Sequence, residues 1–395
     1  MPKAQDPKSW KIATRLVRGG TKRSNFGETS EAIFMNSGFC YESAEVAESR
    51  FNGSAPGFVY SRYSNPTLAM LEERLALMEG AERACVMASG MAAVFGSLMC
   101  QLKTGDHVLA NRVLFGSCWH IITQILPRFG IEYTLVDGRD LEAWKKAFRK
   151  NTTAVFIETP ANPTLELVDI EAVAKLCKKA KACLIVDNVF STPLLQHPLK
   201  LGADVVVYST TKHIDGHGRT LGGAVLGKQT FIDEVLLPFH RHTGPAMSPF
   251  NAWVTLKAME SLHLRVKRHC KNANLLAEFL EDHPKVARVY YPGLKSHPQH
   301  ALAKRQMGNG GPMIAFEVKG GKKEAFRFMN RLKLVDISNN LGDAKSLITH
   351  PATSTHANID AKARAKFGIN DSLLRLSVGI EDGDDLLVDI KQAFV

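Results

Sequence analysis

The chain has 395 residues, 45% hydrophobic and 23% charged, which is ordinary globular usage with room for two or three domains and excludes wholesale disorder. No apolar run reaches the roughly 18–20 residues of a membrane helix, and the start, MPKAQDPKSWKIATRLVRGG, has neither the apolar stretch nor the cleavage site of a secretory signal. Lys and Arg (50) exceed Asp and Glu (39) for a net charge of +11, but the charges are dispersed and no nucleic-acid-binding motif accompanies them. A nucleic-acid-binding protein is therefore the weaker reading, and basicity that gathers anionic metabolites is the stronger one.

Residues 1–64 are rich in Ser, Gly, Asn and Glu with weak periodicity, and are expected to form an extended arm. Leu68, Leu71, Leu75 and Met78 then recur at helical spacing and stop at Gly80. Runs rich in apolar and β-branched residues follow at 84–88, 107–110, 132–136, 154–158, 183–187, 204–208 and 223–227. Helical patterns lie between several of them, at 91–102, 117–127, 140–149 and 170–181. The basic clusters KKAFRK (145–150) and KLCKKAK (175–181) occupy the polar sides of two of these helices. Continuous apolar strands alternating with helices predict a mainly parallel seven-stranded sheet covered on both faces, an α/β domain over 65–250. A long helical stretch at 251–282 should lead into a smaller α+β domain over 251–395, with strands at 286–291, 313–318 and 373–379. The seven cysteines contain no C-x-x-C pair and the fourteen histidines no metal-binding spacing, so free thiols, a cytoplasmic protein and no metal are expected.

Ligands of open α/β sheets bind beyond the carboxyl ends of the strands. The first strand ends in Ser89-Gly90-Met91 at a helix start, and the fourth runs into Glu158-Thr-Pro-Ala-Asn162. The fifth ends at Asp187, and the sixth at Ser209-Thr-Thr211-Lys212. Singly, these are a cap, a turn, a strand-end acid and a solvated lysine. Together they place an anion site, an acid and an amine on one rim. A phosphate suits the helix start, helped by the Ser209 and Thr211 hydroxyls. An amine captures an aldehyde, and a buried acid holds a pyridine nitrogen protonated. Phosphate, aldehyde and pyridine describe pyridoxal 5'-phosphate (PLP). No P-loop or dinucleotide fingerprint competes for the phosphate.

At these residues the sequence resembles the Cys/Met-metabolism family of PLP-dependent enzymes, which includes cystathionine γ-synthase, the cystathionine and methionine lyases and the homoserine-ester sulfhydrylases. The resemblance spans Tyr60-Ser-Arg62-Tyr-Ser-Asn-Pro-Thr67, Ala88-Ser-Gly-Met-Ala92, Tyr208-Ser-Thr-Thr-Lys212 and Arg375-Leu-Ser-Val-Gly-Ile-Glu381. It implies the aspartate-aminotransferase-like fold, type I of the PLP-dependent transferases. It also implies that Lys212 forms the Schiff base and shuttles protons, and that Asp187 pairs with the pyridinium. Ser89, Gly90, Met91, Ser209 and Thr211 would hold the phosphate, and Asn162 would lie near the ring hydroxyl. Arg375 would clamp the substrate carboxylate, with Asn340 beside it. Tyr60 and Arg62 would reach the phosphate of a neighbouring subunit in a homotetramer built of dimers with shared active sites.

Two positions depart from the common family pattern. The ring-stacking tyrosine is replaced by Phe115 in Leu114-Phe-Gly116, and the segment before the C-terminal Ser-Leu reads Asn340-Leu-Gly-Asp. Both variants resemble the sulfhydrylase branch, as does Asp215-Gly-His-Gly-Arg219. The implied reaction is γ-replacement on an acylated homoserine, with sulfide entering and succinate leaving. Cystathionine γ-synthesis, an acetyl-ester substrate and γ-elimination remain alternatives.

Overall fold

The computed structural model describes residues 6–395. Its strands are β1 (Arg83–Met87), β2 (His107–Asn111), β3 (Glu132–Val136), β4 (Thr152–Glu158), β5 (Cys183–Asp187), β6 (Val205–Ser209) and β7 (Gly223–Gly227). Five more follow: β8 (Val286–Tyr290), β9 (Met313–Val318), β10 (Asp336–Ile337), β11 (Leu347–Thr349) and β12 (Leu373–Ser377). The first seven make one sheet in the order β1-β7-β6-β5-β4-β2-β3. Strands β2 to β6 run parallel, and β7 runs antiparallel to both β6 and β1. The mainly parallel seven-stranded sheet expected from the apolar runs is present.

The strands are apolar throughout because both faces are covered. Val108, Ala110, Phe156, Ile185 and Val207 enter one core, while Leu109, Val155, Ile157, Leu184 and Val186 enter another on the opposite face. Each fully buried Val, Ile or Phe in these layers stabilises the fold by about 1.5–3 kcal/mol relative to exposure. A helix at Pro66–Glu79 starts with the Asn65 side chain accepting the Thr67 N–H at 2.9 Å and ends on Gly80 at φ 80°, a left-handed stop that glycine tolerates.

Three local expectations differ. The stretch 251–282 is two helices, Pro249–Met259 and Leu262–Asp282, because the Arg265 guanidinium takes the Ala258 carbonyl at the junction (2.9 Å). The arm is not simply extended, since it carries helices at Ile12–Arg18 and Ala44–Phe51. It is also anchored: Glu31 is buried against Arg74 and accepts from Lys257 Nζ at 3.0 Å. Finally, the C-terminal sheet has two additional short strands, giving the order β10-β11-β12-β9-β8. The helices Leu262–Asp282, Gly321–Arg331 and Gly383–Ala393 pack on it through one apolar core. No helix of the described residues is long and apolar enough to cross a membrane. All seven cysteines are free.

Candidate active site

The carboxyl ends of β1, β4, β5 and β6 meet the C-terminal sheet around a cavity of about 410 Å³. Its lining includes Ser89, Gly90, Met91, Phe115, Asn162, Asp187, Ser209, Thr211, Lys212, Asn340 and Arg375. Eleven of the thirteen residues expected from the sequence are thus brought together. Tyr60 and Arg62 are not among them. They line a separate surface recess with Ala246 and Met247, where Arg62 lies over the Tyr63 ring at 4.8 Å and bonds the Arg241 carbonyl. Within one chain the pair does not reach the cavity.

One end of the cavity is an anion cradle. The helix Gly90–Met99 starts there, and Ser89 caps it by accepting the Ala92 N–H at 3.1 Å. The cap consumes an acceptor site of Ser89 and leaves the earliest helix N–H groups facing the cavity rim. Ser209 closes against this turn so tightly that a Cβ on Gly90 would lie 2.6 Å from the Ser209 Cβ. Gly223 is equally confined, since its Cβ would lie 2.1 Å from the Ser89 carbonyl oxygen. Backbone N–H groups and hydroxyls therefore converge where side chains have no space, which suits a phosphate. The Thr211 hydroxyl is partly committed, accepting the Gly222 N–H at 3.0 Å and donating back to its carbonyl at 3.3 Å.

In the middle of the cavity lie two carboxyl groups. Glu158 and Asp187 stand level on adjacent parallel strands, so their side chains project to the same side. Asp187 accepts the Val189 N–H at 3.0 Å. Glu158 accepts from Phe115 N–H (2.8 Å) and from Asn162 N–H (2.7 Å). Burial raises both acids above the ordinary carboxylate range, and for Glu158 the neighbouring Asp187 charge raises it further. An acid pair of this kind favours a cation, and a pyridinium N–H supplies one together with a hydrogen bond. The Cys118 sulfur adjoins both acids, but burial raises its thiol well above its usual range, so it is not a thiolate ligand.

Lys212 also lines the cavity, and its Nζ donates to Asn340 Oδ1 at 2.6 Å. Burial, then the nearby Arg375 charge, lowers its pKa to about 8, which leaves a useful fraction as free amine near neutrality. Arg375 is 1% exposed and donates to Asn162 Oδ1 (3.1 Å), Asn339 O (2.8 Å) and Asn340 O (3.1 Å). Its Nε is buried without a partner. A buried guanidinium with no carboxylate bonded to it has the charge to receive one.

Glu158, named in the sequence at the end of the fourth strand but given no role there, is the acid that stands beside Asp187. It was visible as the last residue of an apolar run, but its role depends on the β4–β5 register, which a single sequence does not display.

A parallel sheet carrying an anion cradle, a cation-seeking acid pair and a low-pKa lysine on one rim defines a PLP-dependent enzyme of fold type I, and every feature fits that cofactor. The chain belongs to the Cys/Met metabolism PLP-dependent enzyme family, whose model matches residues 13–395. An O-succinylhomoserine sulfhydrylase from Mycobacterium tuberculosis is 54% identical, covering 96% of this chain and 95% of its own. An L-methionine gamma-lyase from Fusobacterium nucleatum is 42% identical, covering 98% of both. Among solved structures, a putative O-acetylhomoserine (thiol)-lyase from Campylobacter jejuni, holding a pyridoxyl-lysine monophosphate, superposes with a TM-score of 0.94 at 34% identity. That match covers 98% of this chain and 100% of the other.

Proposed function

We propose that the enzyme catalyses γ-replacement, converting O-succinylhomoserine and sulfide into homocysteine and succinate. The observation that supports this reading is Phe115: it lines the cavity, the family resemblance expects a stacking ring at this residue, and it has no phenol to move a proton. The 54% identity to a sulfhydrylase supports the same choice.

PLP, when bound, supplies the electron sink for negative charge developing at the substrate Cα. The side chains do the rest. Arg375, which lines the cavity, holds the α-carboxylate through its guanidinium charge. Lys212, with its pKa near 8, would take the proton from Cα, would have to release it, and could then act as base again at Cβ, so that succinate leaves from Cγ. Sulfide then forms the new bond at Cγ, and protons return from Lys212 to Cβ and Cα. Asp187 keeps the pyridine nitrogen protonated, and Glu158 holds the Phe115 and Asn162 backbones beside it. Residue 115 carries no phenol, so it would not compete with Lys212 in returning protons to the substrate carbons before sulfide arrives.

The reading extends to a cytoplasmic homotetramer of dimers in which Tyr60 and Arg62 serve a neighbour's cofactor phosphate. Their place outside their own chain's cavity supports this, and the seven free thiols support the compartment. The test offers purified holoenzyme the succinyl and acetyl esters, each with sulfide or cysteine, and resolves products by mass. Homocysteine from the succinyl ester and sulfide should dominate. Cystathionine or 2-ketobutyrate as the main product would replace this reading by the synthase or the lyase.

A further inference from the structure

A buried amide network adjoins the two acids without lining the cavity, and the chemistry derived above makes no use of it. Its centre is Gln196, which follows the short helix Thr192–Leu195 and is fully buried. Gln196 Nε2 donates to Thr159 O at 2.8 Å and to Asn188 Oδ1 at 2.7 Å. Thr159 and Asn188 are the residues that immediately follow Glu158 and Asp187. One side chain thus ties together the two strand ends that carry the acid pair.

The backbone holds these ends weakly. Glu158 and Asp187 are the last residues of β4 and β5, and the bond beyond them, from Thr159 N–H to Asp187 O, is long at 3.5 Å. Such bonds ordinarily span roughly 2.7–3.2 Å. The two short bonds from Gln196 therefore come where the ladder gives out.

The clamp is itself held from several sides. Asn188 Nδ2 returns a bond to Gln196 O at 2.9 Å and donates to Tyr208 Oη on β6 at 2.6 Å. Tyr208 Oη donates onward to Glu79 Oε2 at 2.6 Å. Gln306, the last residue of the helix His300–Gln306, donates to Gln196 Oε1 at 3.0 Å and to Val168 O at 3.1 Å, and accepts the Ile170 N–H at 3.1 Å. Both amide hydrogens and the amide oxygen of Gln196 are engaged. Turning that amide over would strip buried partners of their bonds, so it has one orientation.

We propose that Gln196 is a positioning residue: by clamping Thr159 to Asn188 it sets the placement of Glu158 against Asp187 and so holds Asp187 in line with the cofactor's pyridine nitrogen. Gln196 is absent from the cavity lining, so it acts through the acids and touches neither PLP nor substrate. The proposal rests on the reading of Asp187 as the partner of that nitrogen.

The test is a double-mutant cycle on Gln196 and Asp187. Gln196→Met keeps the length of the side chain and removes its bonds. Wild type, Gln196→Met, Asp187→Asn and the double variant are resolved from cofactor and titrated with PLP by absorbance, and kcat and KM are measured on the reloaded enzymes. Gln196→Met should lose about tenfold in kcat and about fivefold in PLP affinity with KM within about twofold, since a group misplaced by 1 Å costs up to about 100-fold. In the Asp187→Asn background the same substitution should change kcat and PLP affinity by less than about twofold, because the group it places is gone. Equal losses in both backgrounds overturn the proposal and leave Gln196 a packing residue. Wild-type kcat and PLP affinity in Gln196→Met overturn it as well. Asp187→Asn at wild-type kcat overturns the reading of Asp187, and the proposal with it. If Gln196→Met yields no folded protein, Gln306→Met takes its place in the cycle under the same criteria. It removes the bond to Gln196 Oε1 and leaves the two donor bonds of the clamp, so a loss of about fourfold in kcat is expected.

Discussion

Replacing Gly90 by alanine adds one methyl at the tightest point of the phosphate cradle. The new Cβ would lie 2.6 Å from the Ser209 Cβ, 2.9 Å from its Oγ and 3.0 Å from its Cα. Carbon atoms rest about 3.5–4.0 Å apart, so relief demands a separation of roughly 1 Å between the helix start and β6. Two effects oppose each other. Alanine is the better helix former, by up to about 1 kcal/mol in a helix interior and less at a first turn. Overpacking costs about 1–3 kcal/mol, and here the obstacle is strand backbone and its Cβ rather than the tip of a flexible chain, so the clash wins. The displaced N–H groups are those proposed to hold the phosphate, so the loss should fall on PLP affinity, by about 10–100-fold. Resolving the enzyme from its cofactor and titrating PLP back, followed by absorbance, measures it. Removing the obstacle should reverse part of the effect: Gly90→Ala with Ser209→Gly removes the 2.6 Å and 2.9 Å contacts and should bind PLP better than Gly90→Ala alone, despite losing a hydroxyl. If Gly90→Ala binds PLP within twofold of wild type, the cradle geometry argued from this contact is wrong.

Further expectations concern single side chains. Asp187→Asn should retain PLP but lose most of its kcat, because an amide does not keep the pyridine nitrogen protonated; a near-wild-type kcat would reduce Asp187 to a strand-end turn residue. Phe115→Tyr should raise the ratio of ketobutyrate to homocysteine at limiting sulfide, and Phe115→Ala should weaken cofactor retention by about 0.5–1.5 kcal/mol. Unchanged product ratios and retention in both variants would remove Phe115 from the ring. Glu79 is 1% exposed, and burial raises its pKa from 4.5 to about 8. The folded chain therefore holds that proton where the unfolded chain has released it, and this group costs stability progressively as pH rises from about 4.5 to 8. Glu79→Gln should match wild type in thermal stability near pH 5 and exceed it at pH 9; equal melting curves at both values would contradict the shift.

The large sheet was legible in the sequence because a strand buried on both faces needs apolar residues at every position, as in AVFIE and CLIVD, and those runs stood out between helical patterns. Strands β10 and β11, of two and three residues, are too short to generate periodicity. The break between Met259 and Leu262 was hidden because Glu260 and Ser261 are compatible with helix, and its cause, Arg265 on the Ala258 carbonyl, is tertiary. Asp187, Gly90 and Lys212 were readable since they end a strand, open a helix and follow a strand end on the same rim. Glu158 was not, because its meaning comes from standing level with Asp187 across two strands. Tyr60 and Arg62 show the opposite case: a motif fully legible in sequence whose residues lie outside their own chain's cavity.

The central claim is that Lys212 carries the cofactor and moves the protons. Borohydride reduction of the holoenzyme, followed by peptide mass mapping, tests it most directly when done on wild type and Lys212→Ala side by side. The account predicts a pyridoxyl group on the peptide containing Lys212 in the wild type. In the variant it predicts no modified lysine, loss of turnover and an unchanged far-ultraviolet circular dichroism spectrum. A pyridoxyl group on another lysine, or a variant that turns over without added amine, would contradict it.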